Sequence, residues 1–146
     1  MSRKFIHFGN ALIDPELVAA VSVGAKTPFT ITISVGFHQV TIPYQWTPSE
    51  CHTKEEFLAL ALRIVESLPK PENFVAVGTA GWVNADRVHS ITWGSTFVDV
   101  WLDLPGPCEP IRFIQSPLKE SAQKSAANLL AVAVATALRT NTNQHK

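Results

Sequence analysis

An internal repeat constrains this chain more than any single motif. Residues 5–21 read FIHFGNALIDPELVAAV and residues 74–91 read FVAVGTAGWVNADRVHSI. Phe5 falls on Phe74, Gly9 on Gly78 and Ala11 on Ala80. After a one-residue insertion, Ile13 falls on Val83, Asp14 on Asn84, Glu16 on Asp86, Val18 on Val88 and Val21 on Ile91. Apolar positions, the glycine and an Asx-x-acid turn all coincide. The pattern predicts a tandem duplication, with repeats at 4–68 and 73–139 inside one domain spanning 1–146.

Each unit is readable in physical terms. Phe5 to Phe8 is a short apolar run suited to a buried strand, and Gly9 or Gly78 ends it or allows a bulge. Asp14-Pro15-Glu16 predicts a turn in which the Asp side chain accepts from the backbone two residues on and Pro presets φ. Asn84-Ala85-Asp86 keeps the Asx residue and loses the Pro. Strands follow at 17–23 and 88–93, pairing with 29–35 and 97–102. Thr30 to Val35 alternates strictly, so one face is expected to be buried and the other solvated. Gly36-Phe37-His38 and Leu104-Pro105-Gly106-Pro107-Cys108 are the expected hairpin turns, with returns at 39–42 and 111–114.

A helix closes each unit. Thr53-Lys54-Glu55-Glu56 spells a capping box, ahead of an apolar face from Phe57 to Leu68, and Pro69-Lys70-Pro71 stops the helix. The second helix is expected to open at Ser116-Pro117, with Pro at its first helical position, and to run to about Arg139. From Ala126 to Leu138 it is apolar nearly all round, which predicts burial on every side. One short chain cannot easily enclose such a helix. Either it is the central helix of the pseudo-symmetric domain or it packs against its copy in a dimer, and Leu129, Leu130, Val132, Val134 and Leu138 are the candidate residues of that homo-oligomer interface. The fold class expected is α+β: two tandem antiparallel β units, each closed by a helix, related by a pseudo-twofold and fused into one domain.

The pattern of extended run, Asn/Asp-Pro-Asp/Glu-apolar-x-x-apolar turn, strand, glycine turn, strand and capped helix, from which the second unit departs by having Ala85 for Pro, resembles the small FlbD-like flagellar family and short phage and plasmid proteins of similar build. Ile13-Asp14-Pro15-Glu16-Leu17-Val18 and Val83-Asn84-Ala85-Asp86-Arg87-Val88 carry the likeness, over about half of each unit. The shared motif is a structural turn, so the resemblance implies a fold and transfers no catalytic residue. A weaker likeness is to the β-rich LytTR DNA-binding domain, which uses basic residues near its loops; none cluster here.

Composition narrows the function classes. Twelve Lys+Arg balance 12 Asp+Glu, for a formal net charge of zero, which argues against electrostatic binding to nucleic acid or anionic membrane. Only 16% of residues are charged and 46% are hydrophobic. The most apolar run, 126–138, contains Asn128 and Thr136 and falls short of the ~18 residues a span needs. With no apolar leader after Met1-Ser2-Arg3-Lys4, and only Cys51 and Cys108 as cysteines, the expectation is a cytoplasmic protein without a membrane partner.

No enzyme constellation emerges. His7, His38, His52, His89 and His145 show no zinc spacing, Gly78 to Gly81 is no phosphate loop, and no cofactor or metal is expected. Cys51-His52 precedes a helix N-terminus, where a thiol can be activated; an incidental surface cysteine explains it as well. Asp99 and Asp103 are expected at solvent positions. The aromatics are more suggestive: Trp101 is placed outward, and Trp93, Trp101, Arg87, His89 and Arg112 form a candidate recognition patch for a host protein or small nucleotide ligand. The expected function is a non-enzymatic binding module, a phage or mobile-element accessory protein that binds and blocks or sequesters a host component as an anti-defence inhibitor. A LytTR-like DNA-binding regulator and a structural subunit of a phage or plasmid assembly are the alternatives.

Overall fold

A computed structural model describes residues 5–37, 40–104 and 110–144. The parts of the two expected hairpin turns at 38–39 and 105–109 lie outside the described residues. The chain is α+β. A hairpin of β1 (Ile6–Phe8) and β2 (Ala11–Ile13) leads through a 3₁₀ turn, Pro15–Leu17, into β3 (Val18–Val23), β4 (Ile31–Phe37), β5 (Val40–Trp46) and helix α1 (Lys54–Glu66). After a 3₁₀ turn at Pro71–Asn73 the same order recurs: hairpin β6 (Phe74–Val77) and β7 (Gly81–Asn84), 3₁₀ turn Ala85–Arg87, then β8 (Val88–Trp93), β9 (Val98–Leu102), β10 (Ile111–Phe113) and helix α2 (Glu120–Gln144).

The local devices behave as their chemistry dictates. Asp14 Oδ1 accepts from the Glu16 amide at 3.0 Å and Asn84 Oδ1 from the Asp86 amide at 2.9 Å, so an Asx cap starts both 3₁₀ turns, with or without Pro. Gly9 and Gly78 both take left-handed φ, +57° and +52°. Even the irregularities match: β3 shifts register between Val18 and Ala20, and β8 between Val88 and Ser90. Hairpin pairing of Phe8 with Ala11 and Val77 with Gly81 places the insertion in the hairpin loop, so Ala11 corresponds to Gly81. The Thr53 capping box is complete: Thr53 Oγ1 accepts from the Glu56 amide at 3.2 Å, and Glu56 Oε1 accepts from the Thr53 amide at 3.1 Å.

Ten strands form three sheets among the described residues: β1-β2, β10-β9-β8, and a central β5-β4-β3-β7-β6. The central sheet is composite. The second hairpin adds along β3, pairing Val21 with Trp82 and Ser22 with Gly81. Its faces serve two cores. Val21, Ile31, Ile33, Phe74 and Trp82 join a cluster with α1 and the first hairpin. Ala19, Ala20, Val77 and Val83 join a second cluster with β9, Phe113 and α2. The pairing is not reciprocal: β7 pairs with β3, but β2 does not pair with β8.

Three expectations are corrected. Helix α2 begins at Glu120, not at Ser116-Pro117. The buried Gln123 side chain accepts from the Gln115 amide at 3.1 Å and donates to the Gln115 and Pro117 carbonyls, which holds that stretch as a loop. Within this chain α2 is buried along one stripe, Gln123, Ala127, Leu130 and Val134, rather than all round. Asp99, expected in solvent, is buried, because Arg112 lies over it in a two-pronged ion pair.

Candidate binding surface

Two strands with the same place in their halves have different surroundings. In β3 every residue but Ser22 is buried; in β8 none is. The difference is the hairpin β6–β7, which covers the outer edge of β3. Nothing among the described residues pairs with the outer edge of β8.

The direction of that edge follows from neighbouring hydrogen bonds. Gly24 N donates to Thr30 O and Gly94 N to Phe97 O, each at 3.0 Å, toward the strand that follows. The residue before each glycine therefore faces the opposite edge, since strand groups alternate. Val23 N accordingly donates to Ala80 O of the second hairpin at 2.8 Å. Trp93, and Ile91 two residues back, aim their N–H groups at the open edge of β8. Such an edge is a template for a further strand.

The candidate patch residues are divided among several places. Trp101, Thr92, Asp99 and Arg112 share the outer face of the three-stranded sheet, as their cross-strand register requires. Trp101 is 36% exposed and its Nε1 donates to Thr92 Oγ1 at 2.9 Å. Arg112 Nε and Nη2 donate to the Asp99 carboxylate at 2.7 and 2.9 Å, and the guanidinium stacks 3.9 Å from the Phe97 ring centre. Asp99 holds the Arg112 guanidinium even more firmly protonated than usual. Arg112 is thus tied to its own sheet rather than free for a ligand. Trp93 pairs with Val98, on the row that faces the second core, and is 38% exposed at the end of the strand. His89 is the exposed extra residue at the β8 register shift, with Nδ1 3.1 Å from Ser90 Oγ. Arg87 sits in the preceding 3₁₀ turn.

Of the candidate interface residues, Leu130 and Val134 are buried in the chain's own second core and Leu138 packs against it. Leu129 and Val132 remain 73% and 63% exposed. Among the described residues no group of three or more His, Cys, Asp or Glu could hold a metal ion, and no helix is long and apolar enough to cross a membrane. The Cys51 thiol is pushed above its ordinary range by burial and by Glu50 and Glu56, opposite to what a nucleophile requires. A cleft of about 560 Å³ lies between the β3–β4 face and Pro110–Ile114. Its ionisable side chains are Lys54, which donates to Gly24 O, and the paired Arg112.

Sequence reasoning missed two features. The Asp99–Arg112 pair has a signal in two triplets, Val98-Asp99-Val100 and Ile111-Arg112-Phe113, each a charge flanked by apolar residues on adjacent strands. The open β8 edge has none, because pairing partners are not written in a strand's own pattern. No known protein family, curated protein or solved structure matches the chain.

Proposed function

We propose that this chain is a non-enzymatic binding module, built from two copies of one unit, that takes an extended protein segment along the open edge of β8. The observation carrying this reading is the contrast between β3, covered by a hairpin, and β8, left uncovered at the same place in its half. Strand addition supplies affinity through main-chain hydrogen bonds and specificity through flanking side chains; Trp93, His89 and Trp101 are the flanking groups here. In this reading the hairpin–strand joint between units runs head to tail, made once between β7 and β3 and left vacant at β8.

A phage or mobile-element accessory protein that blocks or sequesters a host component fits a small, neutral, duplicated module, by analogy of build. A DNA-binding regulator of LytTR type fits less well. The formal charge is zero and Arg112 is neutralised by Asp99, whereas duplex binding needs several free cations and shows a steep salt dependence. A structural subunit shares the open-edge argument and differs only in what fills the edge.

Two measurements test the reading. The Ile91 and Trp93 amides exchange rapidly with deuterium in the isolated single chain; slow exchange there means the edge is closed and the reading wrong. Affinity columns of wild-type and Ile91→Pro protein are then challenged with host lysate. Proline is tolerated on an edge but deletes the outward N–H. A partner held along β8 is lost from the proline column, and equal retention on both refutes the reading.

A further inference from the structure

We infer that the open β8 edge is filled by the β1–β2 hairpin of a second copy of this chain, added head to tail. The inference rests on the reading of β8 as an acceptor edge and names its occupant. The joint already exists once inside the molecule. Hairpin β6–β7 is two-faced: Val77 and Val83 enter the core of their own half, while Phe74 and Trp82 pack into the preceding half beside α1. Hairpin β1–β2 carries the same pattern. Phe8 and Ile13 enter the core of their own half. Phe5 and Leu12, at the positions of Phe74 and Trp82, are 53% and 67% exposed. Among the described residues nothing pairs with the outer edge of β2 or with the outer edge of β8, so donor and acceptor edges are both vacant.

Transferring the internal register pairs Ser90 with Ile13 and Ile91 with Leu12, as Ala20 pairs with Val83 and Val21 with Trp82. The sheet β10-β9-β8 would then grow to five strands by addition of β2 and β1, matching β5-β4-β3-β7-β6. Helix α1 packs against both β3 and β7. Helix α2 packs against β8 and would gain the incoming β2; its Leu129 and Val132 are the exposed apolar side chains on offer. Ala11 stands where Gly81 allows close backbone approach, so the joint between copies rests on the Ser90 and Ile91 pairs rather than on a third. A contact of this kind is heterologous. It closes into a ring if the rotation per copy divides a full turn, and otherwise builds a filament.

Two variants and their mixture test this. Leu12→Pro removes the outward amide of the donor at an exposed side chain, and Ile91→Pro removes that of the acceptor. Native mass spectrometry across a concentration series is expected to show wild-type species heavier than one 16.0 kDa chain, and single chains only for each variant alone. Mixed, the variants are expected to form a one-to-one pair and nothing larger, because Leu12→Pro retains a working β8 and Ile91→Pro a working hairpin. A wild-type chain that is single at every concentration overturns the inference, as does an assembly that survives Leu12→Pro or a mixture that forms no pair. Amide exchange at Ile91 and Trp93 in the Leu12→Pro single chain separates the two readings. Fast exchange alongside a failed mixture removes the second copy as occupant and leaves the open edge standing; slow exchange removes both.

Discussion

Replacing Gly81 with alanine strikes the joint that makes two halves into one sheet. Gly81 has φ +140°, and a Cβ there would lie 2.2 Å from Val21 O and 2.6 Å from Ser22 Cα. Both atoms belong to the middle of β3, which is held on its other edge by β4. Neither can retreat without parting the β3–β7 ladder. Holding a side-chain-bearing residue at such a φ costs about 1–3 kcal/mol, and losing two ladder hydrogen bonds adds about 1 kcal/mol each. The sum is roughly 3–5 kcal/mol against a total stability of ~5–15 kcal/mol for a domain. At ~2–4 °C per kcal/mol for a chain of this size, Tm falls by roughly 6–20 °C. Gly24 is the control: the nearest atom to an added Cβ is Thr30 N at 3.9 Å, with no positive φ. Gly24→Ala is expected to be neutral or to raise Tm slightly through the unfolded state. Calorimetry and urea unfolding monitored by tryptophan fluorescence read both variants. A Gly81→Ala protein melting with wild type and Gly24→Ala would refute the claim that close backbone approach at this glycine holds the halves together.

Other consequences follow from the same geometry. Thr53→Ala removes the α1 cap and is expected to cost about 1 kcal/mol, read as a lower urea midpoint with unchanged slope. Backbone amides of His52 and Thr53 hold the Glu56 carboxyl below its ordinary range. A depressed carboxyl contributes stability that is present above the usual Glu value of about pH 4.3 and is lost as pH falls through the lower folded value. The Tm gap between wild type and Glu56→Ala should therefore close on acidification, and a gap unchanged at pH 2 would contradict the cap. The raised Cys51 thiol predicts slow alkylation by iodoacetamide at neutral pH, with a rate still climbing past pH 9; rapid neutral labelling would contradict it. Arg112→Met should lower Tm because it strands the buried Asp99 carboxylate, and should do far less in an Asp99→Leu background. Equal effects in both backgrounds would show the pair to be uncoupled.

The sequence determined what is local. Alternation in Thr30 to Val35 marked β4 and the side it buries, Asp14 and Asn84 marked their turns, and Thr53 with Glu56 marked the start of α1. Each of these is decided by residues within a few positions of one another, so pattern alone reveals it. Tertiary structure decided the rest. Nothing in the pattern of Val18 to Val23 says that Gly81 to Asn84 will lie beside it rather than Ala11 to Ile13, because an apolar strand can pair with many edges. Asp99 looked solvated from its phase, and only the approach of Arg112 from another strand made its burial tolerable. Helix α2 looked buried on every side, yet its core needed one stripe and left Leu129 and Val132 uncovered. The same distinction holds for the surface proposed to act. Residues 5–21 and 74–91 share a pattern and the order of elements recurs; which strand edge stays open depended on how distant segments meet.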